Sequence, residues 1–443
     1  MKSYLFTDSS NRPALSSDLY LITLKANEVS GSDRLISEER VGSIAGAFED
    51  NPELIGIVSA DILKTLRSDA LANLADVVVH NASLAILVSR KTPPADCRRY
   101  DGVVQSYICS RTLWDAALAA GRLLEEPEYS CYRTLELLMS GEIRADWVCV
   151  RQLPAAAPKP MGVPRPEPIA VVMAHRGLHR HLAVAADYVK RLSYPGRISF
   201  RLGLDVADLS EYDDFVTSNR MTCFSVEDPP AGPYVIRDAL IRTAPEGLVL
   251  FQDSDDVSCS DRATRLLQAM MNARADMVGS HEMEINEIDK TIRVYRFPLQ
   301  VTDVLSARAN AGVSDNAAEP FLHATALMKR QKYLEVGGFS TNRRIANDSQ
   351  FLLRGHFAMK IENVDEFLYL RRVHPRALTV DPATRNGNEL RQQLSAQWGR
   401  DFRLIKAGEL ALDKSSLRAV REDRSRRIAP IGSTLAGVER TSA

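Results

Sequence analysis

The chain has 443 residues, of which 45% are hydrophobic and 26% are charged, and its formal net charge is −1. This composition is typical of globular proteins, and because a domain usually has about 100–200 residues we expect two or three domains. The balanced charge provides no global field to attract nucleic acid or an anionic membrane, and it argues against nucleic-acid binding as the main function.

The six cysteines are scattered and include no Cys-x-x-Cys pair. Their spacing argues against a zinc knuckle, a redox motif or a disulfide framework, and it fits a reducing compartment. The apolar run before Asp8 is too short for a secretory signal. No stretch approaches the roughly 20 apolar residues that a membrane-spanning helix needs. We therefore expect a soluble, cytoplasmic protein.

A proline-rich segment divides the chain. Residues 153–168 contain six prolines among small residues, which is typical of a semi-rigid linker. The linker separates an N-terminal region, residues 1–152, from a second region, residues 169–385. We expect residues 386–443 to form a helical segment followed by a flexible basic tail.

In the second region, apolar strands alternate with helices. Strands are predicted at Ile169–Met173, Ile198–Leu204, Leu248–Phe251, Met277–Gly279 and Ile292–Phe297, and helices at Leu182–Leu192, Arg262–Arg274 and, further on, Glu389–Lys406. Asp261 precedes one of these helices and can cap it. The alternation predicts an α/β layer with a mostly parallel sheet, and ligands of such sheets bind beyond the carboxyl ends of the strands.

The N-terminal region repeats part of this order. Pro52–Asp61 resembles Pro245–Asp255, and Ala75–Val79 resembles Ala275–Gly279. We favour an internal duplication over the alternative that any two α/β stretches look alike. In the first copy, Ser59-Ala60-Asp61 replaces an acidic cluster found in the second copy, so no catalysis is expected there.

That acidic cluster is Asp253-Ser254-Asp255-Asp256, which directly follows the predicted strand Leu248–Phe251. Three carboxylates so close together repel one another unless a cation neutralises them. Hard oxygen ligands suit Mg²⁺ or Mn²⁺, and these ions also bind phosphate oxygens. Taken alone, the cluster is equally consistent with a solvated acidic turn.

Further motifs resemble those of the family 2 glycosyltransferases of the GT-A fold, whose Asp-x-Asp metal motif follows such a strand. The matching segments, in the family's order, are Gly232–Asp238 (GPYVIRD), the acidic cluster, His323–Phe339 (HATALMKRQKYLEVGGF), Asn347-Asp348 and Tyr369–Thr379 (YLRRVHPRALT). Asn347 stands where the family usually has Glu. The resemblance implies a GT-A (nucleotide-diphospho-sugar transferase-like) fold with a mixed, mostly parallel sheet. A shortened, degenerate GT-A-like α/β domain would precede it.

The resemblance also implies a function. The chain would move a sugar from a nucleoside-diphosphate sugar, with a UDP-sugar favoured, to a hydroxyl of a glycan or lipid-linked glycan. Asp255 and His374 would bind Mn²⁺ or Mg²⁺, and Asp253 would contact the metal or the nucleotide sugar. Asp348 would be the catalytic base of an inverting displacement, a role that needs an ionised carboxylate near the acceptor.

The nucleotide contacts are less well marked. Asp205, at the end of the second predicted strand, matches a position that commonly contacts the base. Arg237 would meet the diphosphate through a bidentate contact. The loop Ala174-His175-Arg176 departs from the family's usual Thr-Tyr-Asn and leaves the identity of the base open.

Several of these residues have simpler explanations. Asp348 alone is typical of a helix N-cap, and His374 of an ordinary surface histidine. His175, His179 and His181 resemble a metal cluster, but a solvated polar helix face is the expectation.

Two other function classes stay open. One is a non-catalytic GT-A-like scaffold, against which the joint presence of the acids and His374 counts. The other is a different nucleotide-sugar enzyme, such as a nucleotidyltransferase, whose glycine-rich N-terminal signature is missing. Peripheral contact with the inner face of a membrane is a further open point, by analogy with enzymes that use lipid-linked acceptors in polysaccharide biosynthesis.

Overall fold

The structure is a computed structural model that describes residues 19–24, 54–59, 84–87, 99–103, 106–119, 130–150, 166–219, 221–226, 229–301, 321–385, 388–421 and 428–430. Most of the predicted linker, residues 153–165, lies outside the described residues. So do residues 431–443 of the predicted tail, and Ala60, Asp61 and Ala75–Val79 of the predicted repeat.

Strands and helices alternate along the described chain. The strands are β1 (Leu19–Leu24), β2 (Leu54–Ser59), β3 (Leu84–Leu87), β4 (Arg99–Val103), β5 (Ser106–Ser110), β6 (Trp147–Val150), β7 (Ile169–His175), β8 (Ile198–Leu204), β9 (Thr222–Val226), β10 (Leu248–Phe251), β11 (Val257–Ser258), β12 (Met277–Asn286), β13 (Thr291–Arg296), β14 (Leu327–Lys329), β15 (Ile361–Val373) and β16 (Ile428–Pro430). The helices are α1 (Arg111–Ala119), α2 (Ser130–Ser140), α3 (His179–Lys190), α4 (Asp213–Asn219), α5 (Pro233–Arg242), α6 (Arg262–Ala273), α7 (Arg330–Glu335), α8 (Asn347–Gly355) and α9 (Glu389–Lys406). Within the described ranges, no helix combines the length and apolarity needed to cross a membrane.

The strands join one mixed sheet in the order β1-β2-β5-β3-β6-β15-β12-β14-β10-β7-β8-β9-β16. A parallel block, β10-β7-β8-β9, lies within the second region. The α/β fold with a mixed sheet that the sequence predicts is therefore confirmed.

The central strand β7 is apolar along its length because both of its faces are covered. Ile169, Val171 and Met173 belong to the core that also contains residues of α3, whereas Ala170 and Val172 pack in the core that contains residues of α5. A continuous apolar run is typical of a parallel strand buried on both faces. This packing fixes β7 between two helical layers and leaves its carboxyl end free to form a site.

The first five strands of the sheet repeat the pairing pattern of the next five. β1 and β2 are parallel, β5 is antiparallel to both β2 and β3, and β3 and β6 are parallel. In the same way β7 and β10 are parallel, β14 is antiparallel to both β10 and β12, and β12 and β15 are parallel. Helices α1 and α2 lie between β5 and β6 in the chain, as α7 and α8 lie between β14 and β15. An internal duplication would produce this arrangement.

The two five-strand sets meet where β6 pairs antiparallel with β15, with Cys149 opposite Phe367. Antiparallel pairing at the junction is what a twofold relation between two copies produces. The two regions predicted from the sequence thus share one continuous sheet.

The boundaries of the helices and strands show where local sequence patterns were sufficient to predict an element. The bounds of β8, β10 and α9 coincide with the predicted ranges, whereas β12 extends to Asn286, well beyond the predicted Gly279. Asp261 occupies the predicted N-cap position of α6, but it does not cap the helix with its side chain. Its side chain makes no capping hydrogen bond to α6 and pairs instead with Arg265 one turn later.

Candidate functional site

The acidic turn follows β10 at the carboxyl edge of the parallel block. The main-chain N–H of Gln252 donates to the carbonyl oxygen of Val172 in β7, 3.2 Å away. The buried Arg262 donates to the Gln252 side chain at 3.0 Å and to the Phe251 carbonyl oxygen at 2.7 Å. These contacts fix the start of the turn, so that residues 253–256 project from the place where ligands of such sheets bind.

Asp255 and His374 lie together, although they are far apart in the chain. Nε2 of His374, which directly follows β15, is 3.2 Å from Oδ2 of Asp255. The His374 side chain retains 12% of its accessible surface and the Asp255 side chain retains 30%, so a ligand can reach both. Burial disfavours the ionised carboxylate, but the hydrogen bond and charge of His374, together with Arg372, outweigh it. They hold the pKa of Asp255 below its usual range.

This pair fits part of a divalent metal site. Carboxylate oxygen and imidazole nitrogen are both ligands of Mn²⁺, and Mg²⁺ is often held by one or two carboxylates together with substrate phosphates. Among the residues that the structure describes, no group of three or more His, Cys, Asp or Glu side chains is arranged to hold a metal ion. The protein therefore offers a partial coordination shell, and phosphate oxygens and water would have to complete it.

Asp256 has a different environment from its neighbours. Its side chain is buried, and Oδ1 accepts a hydrogen bond from the main-chain N–H of Arg372 at 2.8 Å. Burial, followed by the negative charges of Asp255 and Asp253, raises the pKa of Asp256 well above its usual range. The cluster thus contains an inward-facing acid, Asp256, and two acids that remain accessible.

Asp253 begins a chain of polar contacts that ends at Asp348. The Asp253 carboxylate forms an ion pair with Arg237, which is 5% exposed. Arg237 Nη1 lies 3.1 Å from Nε2 of His323, and Nδ1 of His323 lies 3.1 Å from Oδ2 of Asp348. The predicted nucleotide-binding residues Arg237 and Asp253 are thereby linked to the predicted base.

Asp348 lies in the first turn of α8, which begins at Asn347 after Ala346, a residue with a left-handed φ of 59°. Asp348 is therefore not the N-cap of this helix, and that simpler explanation is wrong. The hydroxyl of Tyr234 donates to Oδ1 of Asp348 at 2.7 Å. Burial opposes ionisation, but the contacts with His323 and Tyr234 and the charge of Arg391 outweigh it, and they lower the pKa of Asp348.

Asp205 is buried and is used within the protein. Its two carboxylate oxygens accept hydrogen bonds from the main-chain N–H groups of Ala231 (2.7 Å) and Gly232 (2.9 Å). Gly232 precedes α5, the helix that carries Tyr234 and Arg237. Asp205 thus holds the entry to that helix, and the base contact expected of it stays a prediction.

The histidines near the start of α3 do not form a solvated face, so that expectation is wrong. His175 and His181 are only 1% and 4% exposed. Nδ1 of His175 lies 2.9 Å from the Ser254 hydroxyl, and burial lowers the pKa of His175 to about 4. The ring of His181 packs edge-on against that of His374, with 5.3 Å between centroids. These two histidines support the acidic turn and the His374 side chain.

Two residues of the site were not predicted. Tyr234 precedes Arg237 by one helical turn on α5, and this i, i+3 spacing was the available signal because such side chains share a helix face. His323 belongs to a short 3-10 turn before β14; it begins the matching segment His323–Phe339, but that resemblance gave it no role in the site.

Comparisons with known proteins give only distant likenesses. No protein-family model and no curated protein matches the sequence. A crystal structure of S. aureus TarS is 13% identical, with a TM-score of 0.38; the match covers 53% of this chain and 43% of that chain. The mannosyltransferase PcManGT from Pyrobaculum calidifontis, in complex with GDP-Man and Mn²⁺, is 14% identical, with a TM-score of 0.39, over 70% of this chain and 77% of that chain. At this distance no activity can be transferred to the present chain.

Proposed function

We propose that this protein is a metal-dependent glycosyltransferase that moves a sugar from a nucleoside-diphosphate sugar, with a UDP-sugar favoured, to a hydroxyl group of a glycan or lipid-linked glycan. The observation that carries the proposal is the convergence at one sheet edge of the Asp255–His374 pair (3.2 Å) with the Asp253–Arg237 ion pair. A carboxylate–imidazole pair beside a guanidinium suits a diphosphate, because the pair would hold a divalent metal that offsets phosphate charge and the guanidinium can bind phosphate oxygens directly.

In this proposal each side chain has a defined task. Asp255 and His374 hold Mn²⁺ or Mg²⁺, which when bound offsets the charge that develops on the diphosphate leaving group. Arg237 contacts the diphosphate while Asp253 keeps the guanidinium oriented or joins the metal's ligands. Asp348 removes the proton from the acceptor hydroxyl, which then attacks the anomeric carbon with inversion. Its lowered pKa keeps it ionised at neutral pH, as a base must be.

The scaffold alternative explains these features less well. A non-catalytic protein has no need for two accessible acids beside an imidazole, because each acid costs desolvation free energy when it is partly buried. A chain of contacts from Asp253 to Asp348 also joins the proposed donor site to the proposed base. This linkage favours a catalytic site over two unrelated acidic positions.

The first test is calorimetric titration with a panel of nucleoside-diphosphate sugars, with and without Mn²⁺, of wild type and Asp255→Ala. We expect the wild type to bind one donor in a Mn²⁺-dependent way. Removal of a proposed metal ligand should weaken this binding at least tenfold, because the cation that would offset the diphosphate charge is then held less tightly. The configuration of the product, read by NMR, tests inversion.

Asp256→Asn is the matched control in the same turn. Because Asp256 is buried and turned toward the main-chain N–H of Arg372, which an amide oxygen can also accept, the isosteric Asn should leave the Mn²⁺-dependent affinity within about threefold of the wild type. Failure of folded wild-type protein to bind any donor would contradict the transferase proposal and favour the scaffold. Equal losses in the two variants would instead show that the whole turn, rather than a metal ligand, is needed.

A further inference from the structure

We propose that His323 is a positioning residue for Asp348, and that Arg237 fixes the tautomer in which the imidazole does this. The inference rests on the proposed function, since it assigns His323 a task in preparing the base of that reaction. Its geometric basis is the row Arg237–His323–Asp348, in which each polar contact spans 3.1 Å.

The tautomer follows from the chemistry of arginine. A guanidinium carries only N–H donors, so the Arg237 Nη1 that faces His323 cannot accept a hydrogen bond. Nε2 of His323 must then present its lone pair, and in the neutral ring the hydrogen is carried by Nδ1. Nδ1 is the atom that lies 3.1 Å from Oδ2 of Asp348. The Nδ1 hydrogen is therefore on the side of the ring that approaches the carboxylate, although this 3.1 Å contact does not have the angle of a formed hydrogen bond.

The surroundings hold the ring in this orientation. The rings of Phe251, Phe339 and Tyr234 lie around His323, with centroid distances of 5.8, 5.9 and 6.3 Å. His323 is only 6% exposed, so little water competes for its nitrogens. A donor held by packing orients a carboxylate with little loss of side-chain entropy when substrate binds.

The charged and titratable groups around Asp348 come from several elements. Tyr234 and Arg237 come from α5, His323 comes from the 3-10 turn, and Arg391 comes from the first turn of α9. Tyr234 occupies Oδ1, so His323 is the group that faces Oδ2. The same row of contacts continues from Arg237 to Asp253. A nucleotide sugar that binds Arg237 would therefore contact the residue that fixes the tautomer of His323.

The direct test is the ¹⁵N spectrum of the imidazoles at a pH where the rings are neutral. The chain has 8 histidines, so the His323 signals can be assigned from their disappearance in His323→Asn. We expect the hydrogen on Nδ1 in the wild type, and loss of that preference in Arg237→Met. A hydrogen on Nε2 in the wild type, or an unchanged tautomer in Arg237→Met, would overturn the proposal.

A matched pair of variants tests the effect on the base. His323→Asn keeps an amide donor near the position of Nδ1, whereas His323→Phe keeps an aromatic ring among its neighbours and removes the donor. Without that donor the ionised carboxylate is less stabilised, so the pKa of Asp348 should rise. The acid limb of the kcat/KM profile should move up by about one pH unit in His323→Phe, and kcat should fall about tenfold.

In His323→Asn the pH profile should stay close to that of the wild type. If both variants shift the profile equally, or neither does, His323 has no positioning role. Two measurements do not depend on enzymatic turnover: the ¹⁵N spectrum that identifies the tautomer of His323, and a ¹³C titration of the Asp348 carboxyl. If no donor is ever used but these two readouts follow expectation, the transferase function fails while the positioning arrangement stands.

Discussion

Adjacent acids in the turn after β10 differ in ionisation because their neighbours differ. Asp255 meets His374 and the charge of Arg372, and its pKa is lowered. Asp256 is buried beside two other carboxylates, and its pKa is raised well above the usual range. One acid therefore stays charged and accessible to a cation, whereas the next is buried and accepts a hydrogen bond from the Arg372 main chain. The run Asp-Ser-Asp-Asp predicts the concentration of charge but not this division, because the partners come from β15 and the residue that follows it.

Asp348 gives the sharpest prediction for a single residue. Asp348→Asn keeps the shape of the side chain and can still accept the Tyr234 hydrogen bond, but it cannot take a proton. We expect kcat to fall by about 10²–10⁴-fold, the usual contribution of a general base, with the donor affinity within about threefold of wild type. Release of nucleoside diphosphate measures the rate, and calorimetry measures the affinity. A variant with wild-type kcat would exclude Asp348 as the base.

At the scale of elements, the position of α5 is decided by what lies before it. The helix begins at Pro233, after Gly232, which has a φ of 91°. Asp205, just beyond the end of β8, accepts the N–H groups of Ala231 and Gly232 and so joins the helix entry to the parallel block. Because α5 carries Tyr234 and Arg237, this junction positions contacts to both the proposed base and the proposed donor site.

Removing that junction should affect stability and binding together. Asp205→Ala leaves two buried N–H groups without their acceptor, and an unsatisfied buried donor costs about 1–3 kcal/mol. With two such groups, we expect the free energy of unfolding, measured in urea, to fall by about 2–6 kcal/mol, and the donor affinity to fall as Arg237 loses its support. Asp208→Ala, in the same loop, is the control: it removes only exposed hydrogen bonds from Ser210, so the free energy of unfolding should change by less than about 0.5 kcal/mol and the donor affinity should not change. A fully stable Asp205→Ala protein with weak donor binding would instead indicate a direct nucleotide contact.

The elements that the sequence predicts well have strong local patterns. Apolar and polar residues alternate along β8, whereas β10 is a continuous apolar run. Helix α9 has helical spacing of its apolar residues, and the side chain of Asn388 caps it by accepting the N–H of Arg391. α7 ends at Glu335, shortly before Gly337 and Gly338, whose φ values of 86° and 72° are left-handed and favour glycine.

Side-chain convergence is harder to predict because it depends on the order of strands. The Asp255–His374 pair joins β10 to the end of β15, and a motif known from a family indicated it. The placing of His323 between Arg237 and Asp348 joins three separate elements, and nothing near residue 323 in the sequence indicates it. The burial of His181 was missed for a related reason. Its surroundings come from the far end of the chain, where His374 packs against its ring.

At the scale of the whole molecule, the N-terminal region contributes contacts to the back of the proposed site. Arg372, at the end of β15, donates from Nη2 to the carbonyl oxygen of Met139 in α2 at 2.5 Å, and from Nε to the carbonyl oxygen of Asp255 at 3.1 Å. Its main-chain N–H also binds Asp256. A single side chain therefore connects the acidic turn with the last turn of α2, where carbonyl oxygens are free to accept a cation's N–H groups.

The two five-strand sets differ at the helix that carries Asp348. α8 carries Asp348 in its first turn, whereas α2, which occupies the equivalent place in the first five-strand set, has no acidic residue in its first turn. At this helical position, which the structure describes, the first set has no counterpart of Asp348. We propose that this region was kept as a structural partner: it covers β15 with β6 and binds Arg372 through α2.

Removal of the N-terminal region tests this partnership. A chain starting at residue 166 would leave the β6 side of β15 without its partner strand and deprive Arg372 of the Met139 carbonyl oxygen. Unpaired strand edges associate with one another, so we expect size-exclusion chromatography to show oligomers or aggregates. Any monomer should bind donor at least tenfold more weakly, because the acidic turn loses its support. Arg372→Lys in the full chain separates the two effects, since it should stay monomeric while donor binding weakens. A truncated monomer with wild-type affinity would show that the first region serves another purpose, such as contact with the acceptor.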